Sequence, residues 1–288
     1  MTARTLPQTA GARVARRPTD PPVPVLMYHA IGTSASPAFA RYVLAPHVFR
    51  AHLDHLVDHG FTALTAAAVA RARRCGAALP DRAVVLTFDD AYRDFLTTVL
   101  PELEARALAA TLFVPTAFVG STARWLRDCG EQDRPLLGWS ELREVAAAGV
   151  EVAAHSHTHP QLDRVPATVA RAEAATSRVA LEDALGAAVE GFAYPYGYWN
   201  RPARHAVRAA GFGYACQVGE LTSSAADDPW AVPRHSIAAG TGVSGLARLL
   251  DAPATGRAAH ARSALGRVGW RTARRVPGVG GRPREGAP

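Results

Sequence analysis

The sequence predicts an α/β protein: a parallel sheet with helices packed outside it. Three observations predict this. Short apolar runs alternate with helix-patterned segments over most of the 288 residues. Glycines and small polar residues fall where helices should stop and start. The residues richest in chemistry are His29, Asp89, Asp90, His155, His159 and Tyr196. All sit at or just past the C-terminal ends of predicted strands, where an α/β barrel keeps its active site.

The elements follow in order. Residues 18–24 are proline-rich and read as an extended lead-in. Residues 23–28 form a short apolar strand that ends at His29. A helix over 46–59 carries Phe49, Leu53, Leu56 and Val57 on one face and stops at Gly60. Residues 61–64 read as a strand, and Thr65 caps a helix over 66–74. A strand over 83–88 leads to a helix over 92–107, then a strand over 111–115. Residues 120–138 mix charge with glycine and read as a long loop. Ser140 caps the next helix, which ends at Gly149, and 150–154 is a strand. An alanine-rich helix over 166–185 ends at Gly186, followed by a strand over 191–194. Asn200 caps a helix ending at Gly211, and 212–217 is a strand. Residues 230–237 are a last extended piece before a short helix near 243–250. Residues 258–275 read as a short basic helix around Trp270, and no internal repeat is visible.

Nearly half the residues are apolar, which fits a globular chain with a large core. The formal net charge of +7 is unevenly placed. The body over 23–250 is slightly acidic, and arginines in 1–22 and 251–288 supply the excess. These tails read as solvated chain, so no nucleic-acid partner is expected. Cys75, Cys129 and Cys216 are odd in number and widely spaced, with no disulfide framework and no paired-cysteine metal motif. Residues 1–22 lack an apolar stretch, so no classical signal peptide is expected, and no run is long enough to span a membrane. From these features alone the expected compartment is the cytoplasm. The sequence leaves the oligomeric state open.

The chemistry lies in two segments. Residues 84–90 are an apolar run ending in Asp89-Asp90, and residues 155–159 read His-Ser-His-Thr-His. Adjacent carboxylates are too close for a glycosidase pair, which needs about 5–9 Å. One metal ligand and one general base suit them better. Read alone, the two acids would cap the helix starting near Tyr92; the histidines favour the site. His155 and His159 match an H-S-x-x-H pattern, and His155 with His157 is the alternative, an H-x-H pair as in amidohydrolase barrels. There, however, the pair follows the first strand of the domain, and here it lies past the middle. Two imidazoles and one carboxylate would suit zinc, with cobalt, nickel or iron as alternatives. Of the aromatic residues, Trp199 and Trp230 are candidates for stacking on a sugar ring.

Residues 87–90 (Thr-Phe-Asp-Asp), 155–160 (His-Ser-His-Thr-His-Pro) and 194–197 (Tyr-Pro-Tyr-Gly) come in the order and spacing of a known family. The chain resembles the polysaccharide deacetylases, the NodB-homology domain of carbohydrate esterase family four. Residues 25–31 (Val-Leu-Met-Tyr-His-Ala-Ile) and 61–65 (Phe-Thr-Ala-Leu-Thr) resemble the subgroup that deacetylates poly-N-acetylglucosamine. The resemblance covers 23–250. It implies a distorted (β/α)7 barrel in a single domain; the basic tails, 1–22 and 251–288, read as flexible from their charge and composition. It also implies metal-dependent removal of N- or O-acetyl groups from an oligo- or polysaccharide, and work outside the cytoplasm in many relatives. By position, Asp89 is the general base, Asp90, His155 and His159 hold the metal, and Tyr196 offers its backbone N–H to the oxyanion.

The chain departs from the family pattern in two places. Many members carry an arginine that braces the catalytic aspartate where Ala193 stands here. Arg234 is the expected substitute. The late histidine that serves as general acid in many members is not found in 236–250, and His29 is expected to take its role. Three other readings compete: a non-catalytic carbohydrate-binding relative, a hydrolase of another small amide on the same fold, and a basic nucleic-acid-binding protein.

Overall fold

A computed structural model describes residues 21–252. The tail readings for 1–20 and 253–288, including the helix around Trp270, lie outside these residues. The strands are β1 (Val25–Tyr28), β2 (Ala30–Ile31), β3 (Val43–Leu44), β4 (Thr62–Leu64), β5 (Ala83–Phe88), β6 (Thr111–Val114), β7 (Glu151–Ala154), β8 (Gly191–Ala193), β9 (Tyr214–Cys216) and β10 (His235–Ser236). The helices are α1 (Pro46–Asp58), α2 (Ala66–Cys75), α3 (Leu100–Glu104), α4 (Trp139–Ala147), α5 (Ala167–Leu185), α6 (Arg201–Ala209) and α7 (Val243–Leu250).

One parallel sheet organises the molecule, in the order β10-β1-β5-β6-β7-β8-β9. The short β4 pairs with the start of β5, and β6 pairs with its end. The sheet curls until its edges nearly meet. Val232 bridges to Cys216 of β9, and three residues later His235 pairs with Leu26 of β1. One segment therefore ties the last strand to the first, and the result is the distorted seven-stranded barrel. Between β7 and β8 the register holds a single pair, Ala154 with Phe192.

Alternation along the strands sorts the core. Leu26, Leu86, Leu112, Val152 and Phe192 face outward into the layer shared with the helices. Val25, Val85, Phe113, Ala153, Ala193 and Cys216 fill the barrel itself. Counting on by two from the inward residues reaches His29 after Met27, Asp89 after Thr87, His155 after Ala153 and Arg234 after Val232. Strand parity aims these four side chains at one interior, at the barrel's C-terminal end.

The local signals mostly hold. Thr65 accepts from the Ala68 N–H and Asn200 from the Ala203 N–H, each capping its helix. Gly186 stops α5 in the left-handed conformation. Two expectations are corrected. The helix predicted over 92–107 is a π-helical turn, Phe95–Val99, followed by the short α3. It starts late because Asp90 and Ala91 take positive φ, 77° and 54°, and Tyr92 is drawn into a bridge with Leu136. The α4 cap is also misplaced at Ser140. The helix starts at Trp139, and the Glu141 carboxylate accepts from the Gly138 N–H at 2.7 Å.

Candidate active site

Asp89 lies one residue past the end of β5, on the inward parity set by Val85 and Thr87, and is 3 % exposed. Its N–H donates to the Tyr28 carbonyl, so the ladder between β1 and β5 continues one residue past the strands and sets His29 beside it. Arg234, fully buried, meets the Asp89 carboxylate with both guanidinium nitrogens. Nη1 lies 2.7 Å from Oδ1 and Nη2 lies 2.8 Å from Oδ2. Two parallel bonds of this kind fix orientation as well as charge. Arg234 also donates to the Thr87 hydroxyl at 3.2 Å. Burial pushes the Asp89 pKa up, but Arg234 and His155 outweigh it and hold the carboxyl below its ordinary value.

Asp90 would face the opposite way on a regular strand. Its positive φ turns the chain, and the side chain comes back into the site. Tyr92 donates its hydroxyl to Oδ2 at 2.6 Å, while Oδ1 is buried without a hydrogen-bond partner. That oxygen lies 3.6 Å from Nε2 of His155 and 3.2 Å from Nε2 of His159. Neighbouring ligands around one tetrahedral ion, each at about 2.1 Å, stand about 3.4 Å apart. The three residues form a convergent, buried donor set whose ligand atoms lie within 4.8 Å of one another. An orphaned carboxylate oxygen facing two imidazole nitrogens at ligand spacing fits a divalent cation.

The two histidines are held differently. His155 donates Nδ1–H to the Ala193 carbonyl at 2.8 Å, which points Nε2 at Asp90. Burial pushes its pKa down to about 4, so the ring is neutral at neutral pH. Nδ1 of His159 has no partner. Its ring is set by packing: Trp125 stacks on it at 4.6 Å, and Tyr196 meets it edge-on at 4.9 Å. His157 turns away, its Nδ1 2.8 Å from the Thr116 hydroxyl. The H-x-H alternative is thus not the convergent pair.

His29 packs against Tyr42, with ring centroids 5.1 Å apart. Burial lowers its pKa, and the Asp89 and Asp90 charges offset this only in part. Tyr196 lies in the tight turn Pro195–Gly197 with φ 60°, and the residue is 42 % exposed. Gly197 is also left-handed, and a Cβ there would overlap Val218, so only glycine fits this turn. Trp199 donates to the Gln217 amide and packs on Tyr194. Trp230 sits at the other end of the barrel, donating to the Phe212 carbonyl and lining a cavity of about 930 Å³ with Tyr214 and Cys216. Tyr92 and Trp125 were not expected at the site. A tyrosine two residues after the acid pair was the available hint for the first; nothing in the sequence pointed to the second.

Comparison with known proteins gives this geometry its context. The family model for polysaccharide deacetylases matches residues 76–215, which span β5, β6, β7, β8 and the acid and histidine segments. Residues 76–215 form a polysaccharide deacetylase domain. The chain is thereby a hydrolase of non-peptide carbon–nitrogen bonds. The Streptococcus pyogenes deacetylase PplD, solved in complex with acetate, superposes with a TM-score of 0.71 at 26 % identity, over 81 % of this chain and all of that one. The Bacillus subtilis protein YxkH is 23 % identical over 227 residues, 78 % of this chain and 74 % of that protein. The Escherichia coli poly-β-1,6-N-acetyl-D-glucosamine N-deacetylase is 36 % identical over 105 residues, 35 % of this deacetylase and 16 % of that protein. Among the described residues, no helix of the enzyme is long and apolar enough to cross a membrane.

Proposed function

We propose that this enzyme removes acetyl groups from an N-acetylated amino-sugar polymer of the poly-N-acetylglucosamine type, with a divalent cation and an aspartate general base. The observation that carries the proposal is the braced Asp89 lying directly beside the Asp90, His155 and His159 donor set. The E. coli relative supports the sugar class.

Asp90, His155 and His159 would hold the cation, and the N2O set suits zinc, with cobalt, nickel or iron as alternatives. When bound, a cation of this kind supplies Lewis acidity and lowers the pKa of water. Asp89, held ionised by Arg234, accepts the proton of the attacking water. The Tyr196 N–H, carried by its left-handed turn, donates to the oxygen that gains charge as the acetyl carbonyl is attacked. His29 is neutral at rest because burial lowers its pKa. The proton that Asp89 takes from water is handed on to His29 and from there to the sugar nitrogen as the C–N bond breaks, so acetate and the free amine leave with Asp89 ionised and His29 neutral again.

The direct experiment measures acetate released from acetylated glucosamine oligosaccharides. Chelator should abolish release and added Zn²⁺ should restore it. His155→Ala should bind no Zn²⁺ and release none. Release that persists in chelator would end the metal reading. The His29 role has its own test. A general acid is typically worth about 10²–10⁴-fold. His29→Gln should lose that much on an N-acetyl sugar but little on 4-nitrophenyl acetate, whose leaving group needs no proton. Equal losses on both would rule His29 out as the acid.

A further inference from the structure

The loop that carries His155 and His159 leaves β7 in a shape its own residues disfavour. Ser156 and His159 both have positive φ, 64° and 58°. Non-glycine residues hold that conformation only where the surroundings over-determine it. Part of the determination is local: the Ser156 hydroxyl accepts from the His159 N–H at 3.0 Å. Part comes from the segment after β6, where the Thr116 and Ala117 N–H groups donate to the Ser156 and His157 carbonyls.

The rest comes from one side chain on α5. Glu173 is 7 % exposed, and among the described residues it makes no ion pair. Its carboxylate is instead spent on the loop. Oε2 accepts from the His157 N–H at 2.8 Å and the Thr158 N–H at 2.7 Å, and Oε1 accepts from the Thr158 hydroxyl at 2.5 Å. A buried carboxylate is costly unless its lone pairs are met, and here its donors among the described residues all lie between the two histidines. His159 is the ligand that depends on this. Metal-bound histidines usually donate their second nitrogen to an outer partner, which fixes the ring. His155 has such a partner in the Ala193 carbonyl, whereas Nδ1 of His159 has none. The direction of its Nε2 is left to the loop backbone and to ring packing.

We propose that Glu173 is a positioning residue that clamps the 155–160 loop so that His159 converges with His155 and Asp90, and that it thereby sets the affinity of the site for a divalent cation. This rests on the metal reading above. The test uses the full chain, stripped of metal and titrated with Zn²⁺ in competition with a chromophoric chelator. Loss of an outer-sphere partner typically weakens metal binding about 10–100-fold. Glu173→Ala should raise the Zn²⁺ Kd by that factor. Glu173→Gln keeps the shape and one acceptor but loses the charge, so its Kd should rise less but measurably. In both variants kcat should return to the wild-type value at saturating Zn²⁺, because Glu173 touches no reacting atom. The Co²⁺-loaded variants should also show an altered visible spectrum.

An unchanged Kd in both variants overturns the proposal, as does a fallen kcat that excess Zn²⁺ does not restore. If Glu173→Ala does not fold, Glu173→Gln decides by the same readings. A wild-type chain that binds no Zn²⁺, or binding that survives His155→Ala, would overturn the metal reading itself and this proposal with it.

Discussion

Asp89→Asn is expected to lower kcat by about 10²–10⁴-fold, the usual worth of a positioned general base, with the metal content unchanged. The two halves of this result come from different atoms. Asp89 lies outside the convergent donor set, its Oδ2 3.8 Å from Nε2 of His155. Its oxygens are instead occupied by Arg234. An asparagine keeps the shape and one oxygen acceptor. It cannot take a proton, and its amide nitrogen faces a guanidinium donor. That mismatch leaves a buried donor unsatisfied and costs about 1–3 kcal/mol, so a lower Tm should accompany the loss of turnover. Metal analysis and a melting curve on the same sample separate base from ligand from fold. A variant with wild-type kcat would move the base elsewhere. One that lost its metal would make Asp89 a ligand. Asp90→Asn is the control, expected to lose metal first.

The legible and illegible parts of this site differ for physical reasons. Strand parity carries a great deal: β5, β7 and the segment reaching β10 are apolar, and inward counting brings Asp89, His155 and Arg234 to one place. The pairing of Arg234 with Asp89 joins residues far apart in the chain, and it was approached only through the family resemblance, in which an arginine braces the aspartate where Ala193 stands here. What escaped prediction is governed by backbone with no residue signature. Asp90 and Ala91 take left-handed conformations without a glycine between them. They delay the following helix to Phe95, and they turn Asp90 into the site. Trp125 reaches His159 from a loop that reads as mixed charge and glycine. Glu173 sits within an alanine-rich helix, where an acid ordinarily reads as a solvated position. Trp230 was a candidate for sugar stacking because it is aromatic, and the barrel puts it at the opposite end.

Arg234→Leu is expected to produce the largest loss of stability together with a displaced pH profile. Arg234 is fully buried, and its removal leaves the Asp89 carboxylate in the barrel without its counter-ion. Breaking a buried pair on one side typically costs about 3–5 kcal/mol. The sign of the pH effect follows from Asp89. Its pKa in the folded chain is depressed, so ionisation contributes stability above the unfolded-state pKa, about 3.9, and that contribution is lost as pH falls through the folded value. The unfolded state is common to both proteins, so the gap in unfolding free energy should be widest near neutral pH, begin to narrow as pH falls through the variant's raised Asp89 pKa, and go on narrowing down to the depressed wild-type value. With the guanidinium gone, burial dominates and pushes the Asp89 pKa up. The base is then protonated over a wider range, and the acid limb of kcat/KM moves to higher pH. Arg234→Lys should recover stability better than activity, because an ammonium supplies charge but not the two-point fork that sets the carboxylate's angle. Urea melts across pH and a kcat/KM profile for the three proteins provide the measurement. An acid limb that stays put in Arg234→Leu would mean that Arg234 does not tune the base, whatever it contributes to the fold.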